Sequence, residues 1–550
     1  MKIAAAQINP TVGALAANAA LIRDAWLQYS DTADLVVYPE LALSGYPPED
    51  LVLKPAFMDA CEREIEKLSL LNLNGGAGML ISTPWRINGA LYSAILLIER
   101  GRIAAVIPKH HLPNYSVFDE LRVFKSGPLP APVLFRGVWL GFMTCEDMWF
   151  SDVAGELKSR GATALIIPNG SPYEDGKSST RIELARERVA ETKIPLLYVN
   201  QVGGQDELVF DGCSFGMNAD GSIAFRMKAF ASDATLTQLK DNAWIAQKTE
   251  IWPEGPAGIF EALKLGLYDY VTKNGFPGVV LGLSGGIDSA LVAVIAAEAL
   301  GASKLHCVMM PSPYTAQMSL DDAQALAHNL GCAYDVMPIE PGMKAFESML
   351  GASAHKGITH ENIQSRLRGM LVMGLSNTSG QMVLSTGNKS EMAVGYATLY
   401  GDMCGGFAVL KDLYKTQVFA LCRWINARER NPLIPERIIT RPPSAELKPD
   451  QTDQDTLPPY DVLDDILEGL IEYELRRVEI IERGHDPDTV QKVWLMLDRA
   501  EYKRRQAAPG VKITARAFGR DRRYPITNGF HPPLEKFHRD AYVAKATKKR

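Results

Sequence analysis

Residues 279–300 have the sequence VVLGLSGGIDSALVAVIAAEAL, in which a short apolar run, a glycine-rich turn and a longer apolar run follow one another. The first run has the length of a buried strand, and the second has that of a buried helix. A glycine-rich turn between a strand and a helix presents backbone N–H groups and a helix N-terminus to an anion. The segment therefore predicts a phosphate-binding turn in an α/β domain.

This turn is not a Walker A sequence, because G-x-x-x-x-G-K-[ST] requires a lysine that the segment lacks. A strand followed by SGGxDS and a helix instead resembles the ATP-pyrophosphatase loop family, whose members cleave ATP to AMP and pyrophosphate while they adenylate a substrate. An ordinary glycine turn capped by serine is the alternative. The resemblance implies a doubly wound, Rossmann-like parallel sheet with Mg²⁺ on Asp288. It also implies an ATP site formed by Gly282, Leu283, Ser284, Gly285, Gly286, Ile287, Asp288 and Ser289.

Two segments before this turn indicate a domain boundary. Residues 259–275, IFEALKLGLYDYVTKNG, predict an amphipathic helix that ends at a glycine. The polar stretch before it ends in WPEGPAG, which is typical of a linker. We therefore expect an N-terminal domain at 1–245, a linker at 246–258 and a second α/β domain at 259–550.

The first 230 residues alternate between β-rich segments, such as DLVVYPE and ALIIPNG, and helical patterns. Several of the predicted strands follow one another through tight turns. This order predicts a layered α/β domain with helices outside a sheet system.

Composition excludes several classes of protein. Among 550 residues, 58 Lys and Arg stand against 64 Asp and Glu, and this net charge of −6 argues against a long nucleic acid or an anionic membrane as the main partner. Seven dispersed cysteines without a C-x-x-C pair suit a reducing compartment. The N-terminal apolar run breaks too early for a secretory signal, and no window approaches the roughly 20 apolar residues that cross a bilayer. We expect a cytoplasmic protein.

Three chemically reactive residues follow predicted strands: Glu40 in VVYPELALSGYPPEDL, Lys109 in AAVIPKHHLPNYSVFDE and Cys145 in LGFMTCEDMWF. A cysteine nucleophile needs a lowered thiol pKa, which a nearby ammonium supplies, and a carboxylate that carries protons. Taken singly, each residue has an ordinary alternative as a buried thiol, a turn residue or a surface charge.

Together the three segments resemble the nitrilase superfamily of C–N hydrolases over about residues 1–245. The resemblance implies a four-layer α-β-β-α sandwich, with Glu40 as general base, Cys145 attacking a carboxamide carbon and Lys109 holding the oxyanion. It also implies a second oxyanion donor in the backbone N–H of Glu146 and supporting roles for Glu120 and Tyr46. Three further residues are similar to positions that contact glutamine in glutaminase members: Tyr115, Ser171 and Lys177.

His110 and His111 follow Lys109 directly and suggest a metal site. They lack a carboxylate or cysteine partner at ligand spacing in the sequence, and no H-E-x-x-H occurs. The sequence therefore favours ordinary loop histidines.

Residues 383–406, VLSTGNKSEMAVGYATLYGDMCGG, resemble NAD synthetases. The resemblance implies that Thr386 contacts ATP and that Glu391 ligates the metal or borders the substrate. It further implies deamido-NAD contacts at Asn362, Glu391 and Lys503, with Arg366, Lys415 and Arg504 as additional basic residues in the matching segments. The alternative for the basic residues is a solvated helix face. Asn388 and Lys389 stand where short, ammonia-dependent synthetases have a D-H pair.

The segment 441–460, RPPSAELKPDQTDQDTLPPY, has almost no large apolar residues and is incompatible with a core. We expect a mobile loop that closes over the adenylation site and excludes water.

An amidase and an adenylating domain in one chain resemble the glutamine-dependent NAD⁺ synthetase family. The resemblance implies ATP-dependent amidation of deamido-NAD to NAD⁺, with ammonia that is released from L-glutamine at Cys145 and channelled to the second site, and a homo-oligomer built through the synthetase domain. Two alternatives remain: an ATP-pyrophosphatase-type enzyme that amidates or thiolates another substrate, such as a tRNA, or an amidase regulated by a nucleotide-sensing module.

Overall fold

The computed structural model describes residues 1–351, 357–429 and 431–530. The chain divides into two compact units, of which the first is Met1–Gly275 and the second begins at Phe276. Residues 531–550 of the expected second domain lie outside the described residues. No helix among the described residues is both long and apolar enough to cross a membrane.

The first unit contains two large sheets and a short hairpin. Its strands are β1 (Lys2–Gln7), β2 (Leu35–Val37), β3 (Gly78–Ile87), β4 (Ala90–Glu99), β5 (Arg102–Pro108), β6 (Val133–Phe135), β7 (Val138–Phe142), β8 (Ala164–Asn169), β9 (Leu196–Asn200), β10 (Val202–Gln205), β11 (Leu208–Asp211), β12 (Phe215–Met217), β13 (Ile223–Arg226), β14 (Asp233–Lys240) and β15 (Ala243–Trp244). Its helices are α1 (Leu15–Tyr29), α2 (Pro55–Leu71), α3 (Ser151–Ser159), α4 (Lys177–Thr192) and α5 (Pro256–Lys273).

The two large sheets have the strand orders β15-β14-β1-β2-β3-β4-β5 and β13-β12-β9-β8-β7-β6, and β10 pairs with β11. Successive side chains of a strand point to opposite faces. Accordingly, Ile3 and Ala5 pack between the sheets, whereas Ala4 and Ala6 pack on the α1 side of the first sheet. On the outer face of the second sheet, α3 and α4 cover Leu165 and its neighbours. These layers confirm the expected α-β-β-α sandwich.

Helix α5 belongs to the first unit. Asp269 accepts hydrogen bonds from Asn9 Nδ2 (2.9 Å) and from the backbone N–H of Gly204 (2.6 Å), and Lys273 Nζ donates to Asn9 Oδ1 (2.7 Å). The first unit therefore ends at Gly275, just after this helix. The sequence pattern predicted that the second domain begins at residue 259, within the helix.

The second unit has one sheet of five parallel strands in the order β18-β17-β16-β19-β20. Its strands are β16 (Val279–Gly282), β17 (Leu305–Met309), β18 (Ala333–Val336), β19 (Met382–Ser385) and β20 (Phe407–Ala408). Its helices are α6 (Ile287–Leu300), α7 (Gln317–Leu330), α8 (Glu340–Leu350), α9 (Gly357–Ser379), α10 (Lys389–Val394), α11 (Lys415–Arg428), α12 (Glu436–Thr440), α13 (Tyr460–Ile471), α14 (Arg477–Glu482), α15 (Pro487–Arg499) and α16 (Glu501–Arg504).

This sheet confirms the expected doubly wound architecture. Its strand order runs in one direction from β16 to β18 and in the other from β16 to β20, so a topological switch point lies between β16 and β19. Ligands of such sheets bind in the crevice outside the carboxyl ends of the strands at the switch point. The turn 284–289 follows β16, and Thr386 follows β19, so both predicted ATP-binding segments lie at this crevice.

The segment 441–459 is irregular except for a 3₁₀ turn at Asp453–Asp455. The sequence predicts that this segment contributes no core residue. Near its end, however, Leu457 is buried within the cluster formed by α10 and α13–α15. One apolar residue among polar neighbours gives no periodic signal in the sequence.

Candidate active sites

Lys109 stands between two carboxylates in the first unit. Its Nζ lies 2.7 Å from Glu40 Oε1 and 2.9 Å from both carboxylate oxygens of Glu120. Tyr46 donates a hydrogen bond to Glu120 Oε1 at 2.8 Å. The side chains of Lys109 and Glu40 have no exposed surface, so water does not screen these charges. The structure thus brings together Glu40, Lys109 and Glu120, as well as Tyr46.

Cys145 lies in a strained turn after β7. It is buried, begins a 3₁₀ helix (Cys145–Trp149) and has a φ of 41°, a conformation that a side chain rarely adopts. Asp147 fixes this turn, since its Oδ2 accepts a hydrogen bond from the backbone N–H of Thr144 (2.9 Å). A rare backbone conformation at the predicted nucleophile is typical of a functional site.

Burial and charge set the protonation states of this cluster. Burial lowers the pKa of Lys109, but Glu120 and Glu40 outweigh it and hold that pKa well above its ordinary value. Burial and Glu40 raise the pKa of the Cys145 thiol well above its ordinary value, although Lys109 acts in the opposite direction. The expected lowering of the thiol pKa is therefore wrong for the free enzyme, because desolvation outweighs the ammonium. The resting nucleophile is a thiol beside a carboxylate.

Glu120 differs from an ordinary carboxylate. Burial raises its pKa to about 7, with Lys109 opposing this and Glu40 adding to it. Glu40 is held on its other side, because its Oε2 accepts a hydrogen bond from the backbone N–H of Gly170 (3.1 Å). Both carboxylates bind Lys109, and the charge of Glu40 also acts on the Cys145 thiol.

The predicted glutamine-contacting residues have different surroundings. The Tyr115 hydroxyl donates to the carboxylate of Glu146, with both oxygens at 3.0 Å. Lys177 Nζ lies 6.0 Å from the centroid of the Phe118 ring, which packs edge-on against Tyr115. Tyr115 and Lys177 thus lie near the same aromatic ring, and Tyr115 also binds the residue that follows Cys145.

Ser171, in contrast, is buried and its hydroxyl accepts a hydrogen bond from Arg181 Nε (3.1 Å). Arg181 also binds both carboxylate oxygens of Asp211, at 2.7 and 2.8 Å. No sequence pattern indicates this ion pair, because its partners are thirty positions apart and belong to no motif.

The two adjacent histidines do have a carboxylate partner. His111 Nε2 lies 2.9 and 3.0 Å from the oxygens of Asp152, and His110 Nε2 lies 3.9 Å from Asp152 Oδ2. Folding therefore supplies a carboxylate partner that the spacing in the sequence does not show. Asp152 is 41 residues away along the chain, and only the packing of α3 against this loop brings it close.

A cavity of about 590 Å³ opens at the switch point of the second unit. Eight of the nine predicted ATP-binding residues line it: Gly282, Leu283, Ser284, Gly286, Ile287, Asp288, Ser289 and Thr386. Gly285 is the ninth, and it is not among the described residues that line the cavity. Its backbone contacts Ser319 and Arg441 instead. A Cβ at Gly285 would lie 2.4 Å from the Ser319 carbonyl oxygen, and its φ of 76° also favours glycine.

Hydroxyl groups close the turn into a cradle. Ser289 Oγ donates to the Gly286 carbonyl (3.0 Å) and accepts from the Ser284 backbone N–H (3.2 Å), and the backbone N–H of Gly286 donates to Ser284 Oγ (3.2 Å). Gly286 is the N-cap residue of α6, so the positive end of this buried helix faces the cavity.

Lys415 stands between the two predicted metal ligands. Its Nζ lies 2.5 Å from Asp288 Oδ2 and 3.2 Å from Glu391 Oε1. Asn388 contacts both carboxylates, because its side-chain amide donates to Asp288 Oδ1 (2.8 Å) and its backbone N–H donates to Glu391 Oε2 (3.3 Å). Burial raises the pKa of Glu391 to about 8, with Lys415 opposing this and Asp288 adding to it.

The departure from the short synthetases at 388–389 thus has a structural account. Asn388 caps α10, whereas Lys389 is buried and binds Glu472 (2.5 Å), Asp412 (2.8 Å) and Thr514 (2.6 Å). Lys389 joins the C-terminal segment to the sheet and is absent from the residues described as lining the cavity.

The predicted substrate-contacting residues Asn362, Glu391 and Lys503 also line the cavity. Lys503 Nζ donates to the carbonyl oxygens of Gly395 and Ala397, both at 2.7 Å. Arg504 differs from both of its expected roles, because it is a buried residue at the end of α16 and donates to the Ala393 and Leu497 carbonyls, both at 2.6 Å.

Seven charged residues that line this cavity were not predicted as site residues: Glu361, Arg368, Asp402, Arg441, Glu446, Lys448 and Asp453. Burial lowers the pKa of Arg368 to about 10, with Glu446 and Asp402 opposing this. Arg441 and Glu446 belong to the segment 441–460. Its composition predicts a loop over the site, but composition does not show which charged side chains line the cavity.

Comparison with known proteins finds a family match for each half of the chain. A family model described as carbon-nitrogen hydrolase matches residues 2–247, and one described as NAD synthase matches residues 259–507. The glutamine-dependent NAD⁺ synthetase of Rhodobacter capsulatus is 50% identical, with 96% of this chain and 98% of the relative covered. That of Acinetobacter baylyi is 44% identical, with 96% and 99% covered.

A solved structure is similar over the same length. It is a glutamine-dependent NAD⁺ synthetase from Acinetobacter baumannii in complex with ADP, 41% identical, with a TM-score of 0.78, and the match covers 96% of this chain and 99% of that one. Since the similarity spans both units, the chain belongs to the family of glutamine-dependent NAD⁺ synthetases.

Proposed function

We propose that this protein converts deamido-NAD to NAD⁺, with L-glutamine as the nitrogen donor and ATP as the activating co-substrate. The observation that carries the proposal is the presence, in one chain of this family, of a buried Glu40–Lys109 pair beside Cys145 and a cavity formed by the turn 284–289. AMP, pyrophosphate and glutamate are the other products.

In the first site, Glu40 takes the proton of the Cys145 thiol as Sγ bonds to the carboxamide carbon of glutamine. Lys109, whose charge two carboxylates maintain, and the backbone N–H of Glu146 stabilise the oxyanion. Glu40 then returns the proton to the leaving nitrogen, and ammonia departs. Water attacks the resulting thioester, which releases glutamate and restores the thiol.

Glutamine is positioned by Tyr115, Ser171 and Lys177 in this proposal. Tyr115 and Lys177 both lie near Phe118, and Tyr115 binds Glu146, which supports a site for a polar, zwitterionic substrate. Ser171 is held in place, because its hydroxyl accepts from Arg181 Nε (3.1 Å) and its backbone N–H donates to Asn200 Oδ1 (2.9 Å), so we assign it a contact with glutamine from the family resemblance.

In the second site, the turn Ser284–Ser289 and the N-terminus of α6 bind the phosphates of ATP, and Thr386 contacts the nucleotide. The carboxylate of deamido-NAD, bordered by Asn362, Glu391 and Lys503, attacks the α-phosphorus, and pyrophosphate leaves. Ammonia then attacks the acyl carbon and AMP departs with the second carboxylate oxygen. The related structure with ADP supports an adenine-nucleotide site in this family.

We assign Mg²⁺ to Asp288 and Glu391. Two carboxylates that share one ammonium within 3.2 Å are a donor set of oxygens that suits a hard cation. The raised pKa of Glu391 supports this fit, because a divalent cation stabilises the ionised form that burial disfavours. When bound, Mg²⁺ supplies positive charge to the phosphate oxygens, and Lys415 provides a second positive charge beside them.

We propose that the segment 441–460 closes over this cavity. Arg441 donates to the Gly285 carbonyl (3.0 Å) and to Ser319 Oγ (2.7 Å), and Ser319 Oγ donates to Glu446 (2.6 Å). These contacts tie the segment to the phosphate-binding turn and so support a lid that excludes water from the acyl-adenylate.

Two further assignments rest mainly on the family. We propose a homo-oligomer through the synthetase domain, and the exposed apolar side chains of Met370 and Met373 on α9 support a contact surface there. We also propose a cytoplasmic location, which the unpaired state of all seven cysteines supports.

The test is a product assay with glutamine, ATP, Mg²⁺ and deamido-NAD. We expect NAD⁺, AMP, pyrophosphate and glutamate in equal amounts. Formation of AMP without NAD⁺, or only with another carboxylate or an RNA, would replace deamido-NAD with a different substrate and contradict the proposal.

A further inference from the structure

His110, His111 and Asp152 form a cluster on the first unit that the proposed reaction does not use. The histidines follow β5, and Asp152 stands in the first turn of α3. One potential ligand atom from each residue lies within 4.8 Å of the other two. The cluster is half-buried and reaches solvent, so a cation has access to it.

The hydrogen bond of His110 fixes which nitrogen faces the cluster. Its Nδ1 lies 2.7 Å from the Gly127 carbonyl oxygen, which can only accept, so Nδ1 carries the proton. In the neutral imidazole the lone pair is then on Nε2, the atom directed at Asp152. A carbonyl that orients a histidine through its other ring nitrogen is the usual outer-shell partner of a metal ligand.

Two aromatic neighbours and one carboxylate hold the ring of His111. It stacks on Phe150 with centroids 4.0 Å apart and an interplanar angle of 25°, and it meets His110 edge-on with centroids 4.5 Å apart. Its Nε2 donates to the Asp152 carboxylate at 2.9 and 3.0 Å. The ring is therefore fixed in the orientation that points Nε2 at the carboxylate.

The loop backbone is anchored to a buried group. The backbone N–H groups of His110 and His111 both donate to Asp147 Oδ1, at 3.2 and 2.7 Å. Asp147 is buried and also holds the turn of Cys145. Both histidines thus stand on a rigid support, which lowers the entropy that ordering a metal site costs.

We propose that His110 Nε2, His111 Nε2 and Asp152 bind one Zn²⁺ ion, with water in the remaining position. Three protein ligands of the His and Asp type with an open position suit zinc, whose bonds of about 2.0–2.2 Å place tetrahedral ligands about 3.3 Å apart. The 3.9 Å between His110 Nε2 and Asp152 Oδ2 needs only a small closure. On ligation the proton of His111 moves through solvent from Nε2 to Nδ1, so that the ring stays neutral and the Nε2 lone pair binds the ion.

Ligand chemistry separates this site from the one in the second unit. Imidazole nitrogen suits zinc and its first-row neighbours, whereas magnesium takes oxygen ligands. Asp288 and Glu391 offer oxygen alone, so a mixture of the two cations is sorted: Mg²⁺ goes to the carboxylate pair and Zn²⁺ goes to the histidine cluster.

The test is a competition titration of the full chain with ZnCl₂ against a chromophoric zinc chelator of micromolar affinity, in excess MgCl₂. Wild type and Cys145→Ala are both titrated, so that the reactive thiol is ruled in or out as a ligand. We expect one equivalent of zinc in both proteins, and a melting temperature that rises with zinc because the ion binds the native state.

His111→Gln and Asp152→Asn are the ligand variants, and His306→Gln is the matched control. His306 also has an aspartate partner, Asp335, at 2.8 Å, but among the described residues the two belong to no cluster of three potential ligands. We expect the zinc affinity to fall at least tenfold in each ligand variant, with the zinc-free melting temperature close to that of wild type, and to be unchanged in the control. Absence of zinc binding by wild type, or equal affinity in wild type and both ligand variants, would overturn the proposal.

Discussion

Each unit places one lysine between two carboxylates, and the two clusters differ in exposure. In the first unit, Lys109 and Glu40 are fully buried and Glu120 has 6% of its side chain exposed. In the second, Lys415 is buried but Asp288 and Glu391 are 17% and 18% exposed and line a cavity of about 590 Å³. The same charge pattern thus serves two purposes. The closed cluster holds its charges fixed beside a nucleophile, and the open cluster leaves its carboxylates accessible to a ligand.

Reciprocal loss of function is the largest expected effect. Cys145→Ala removes the nucleophile, so glutamine-supported NAD⁺ formation falls by at least about 10³-fold while ammonia-supported formation continues. Asp288→Asn lowers NAD⁺ formation from both donors by about 10²-fold or more, while glutamine hydrolysis continues. Steady-state assays with each donor measure both. Loss of ammonia-supported synthesis in folded Cys145→Ala would contradict the division of labour.

Removal of each lysine compares the two clusters by stability. Lys109→Met leaves two buried carboxylates without their cation, and we expect the free energy of unfolding to fall by about 3–5 kcal/mol. Lys415→Met costs about 1–3 kcal/mol, because water in the cavity reaches its carboxylates. Equilibrium urea unfolding measures the difference, with Lys264→Met at a surface pair as the control of less than about 1 kcal/mol. An equal or larger cost for Lys415→Met would contradict the comparison.

The two clusters also predict pH windows. The pKa of Glu120 is raised from 4.5 to about 7, so the native protein binds this proton more tightly than the unfolded chain does. Its contribution to stability is full below pH 4.5 and is lost as the pH rises through about 7. For Glu391 the same loss extends to about pH 8.

Glu120→Gln and Glu391→Gln should each remove a pH dependence of a few kcal/mol from the wild-type curve, over these two windows. Urea unfolding from pH 4.5 to 9 measures it, and Glu183→Gln at an exposed position is the control. A wild-type stability that rises through pH 7 relative to Glu120→Gln would show that the sign is wrong.

The smallest expected effect is that of Tyr115→Phe. It removes one hydrogen bond to Glu146, worth about 0.5–1.5 kcal/mol, so the KM for glutamine rises by about two- to tenfold with little change in kcat. Ammonia-supported synthesis stays unchanged. Tyr268→Phe on α5 is the control, and an unchanged KM in Tyr115→Phe would remove this residue from the glutamine site.

The sequence predicted what depends on local order. A strand, a glycine-rich turn and a helix are adjacent in 279–300, so the phosphate-binding turn follows from pattern alone. Glu40, Lys109 and Cys145 each follow a strand, so their positions at strand ends also follow from pattern. Their meeting does not, because β2 and β5 are separated by two strands in one sheet and β7 lies in the other.

Long-range packing decided the rest. The partner of His111 is 41 residues away, and the buried Arg504 donates to the Ala393 carbonyl, 111 residues away, rather than following a local pattern. The pKa of the Cys145 thiol also depends on its burial, which the sequence around it does not reveal. Such features arise from the competition between desolvation and charge in the folded chain.

Isotope transfer tests the central claim most directly. The chain is supplied with glutamine labelled with ¹⁵N in the amide, deamido-NAD labelled with ¹⁸O in both carboxylate oxygens, ATP and Mg²⁺, and the products are weighed by mass spectrometry. If the closed cluster releases ammonia and the open cluster adenylates the carboxylate, NAD⁺ carries ¹⁵N and one ¹⁸O, and AMP carries the other ¹⁸O. AMP without ¹⁸O, or NAD⁺ without ¹⁵N, would contradict the account.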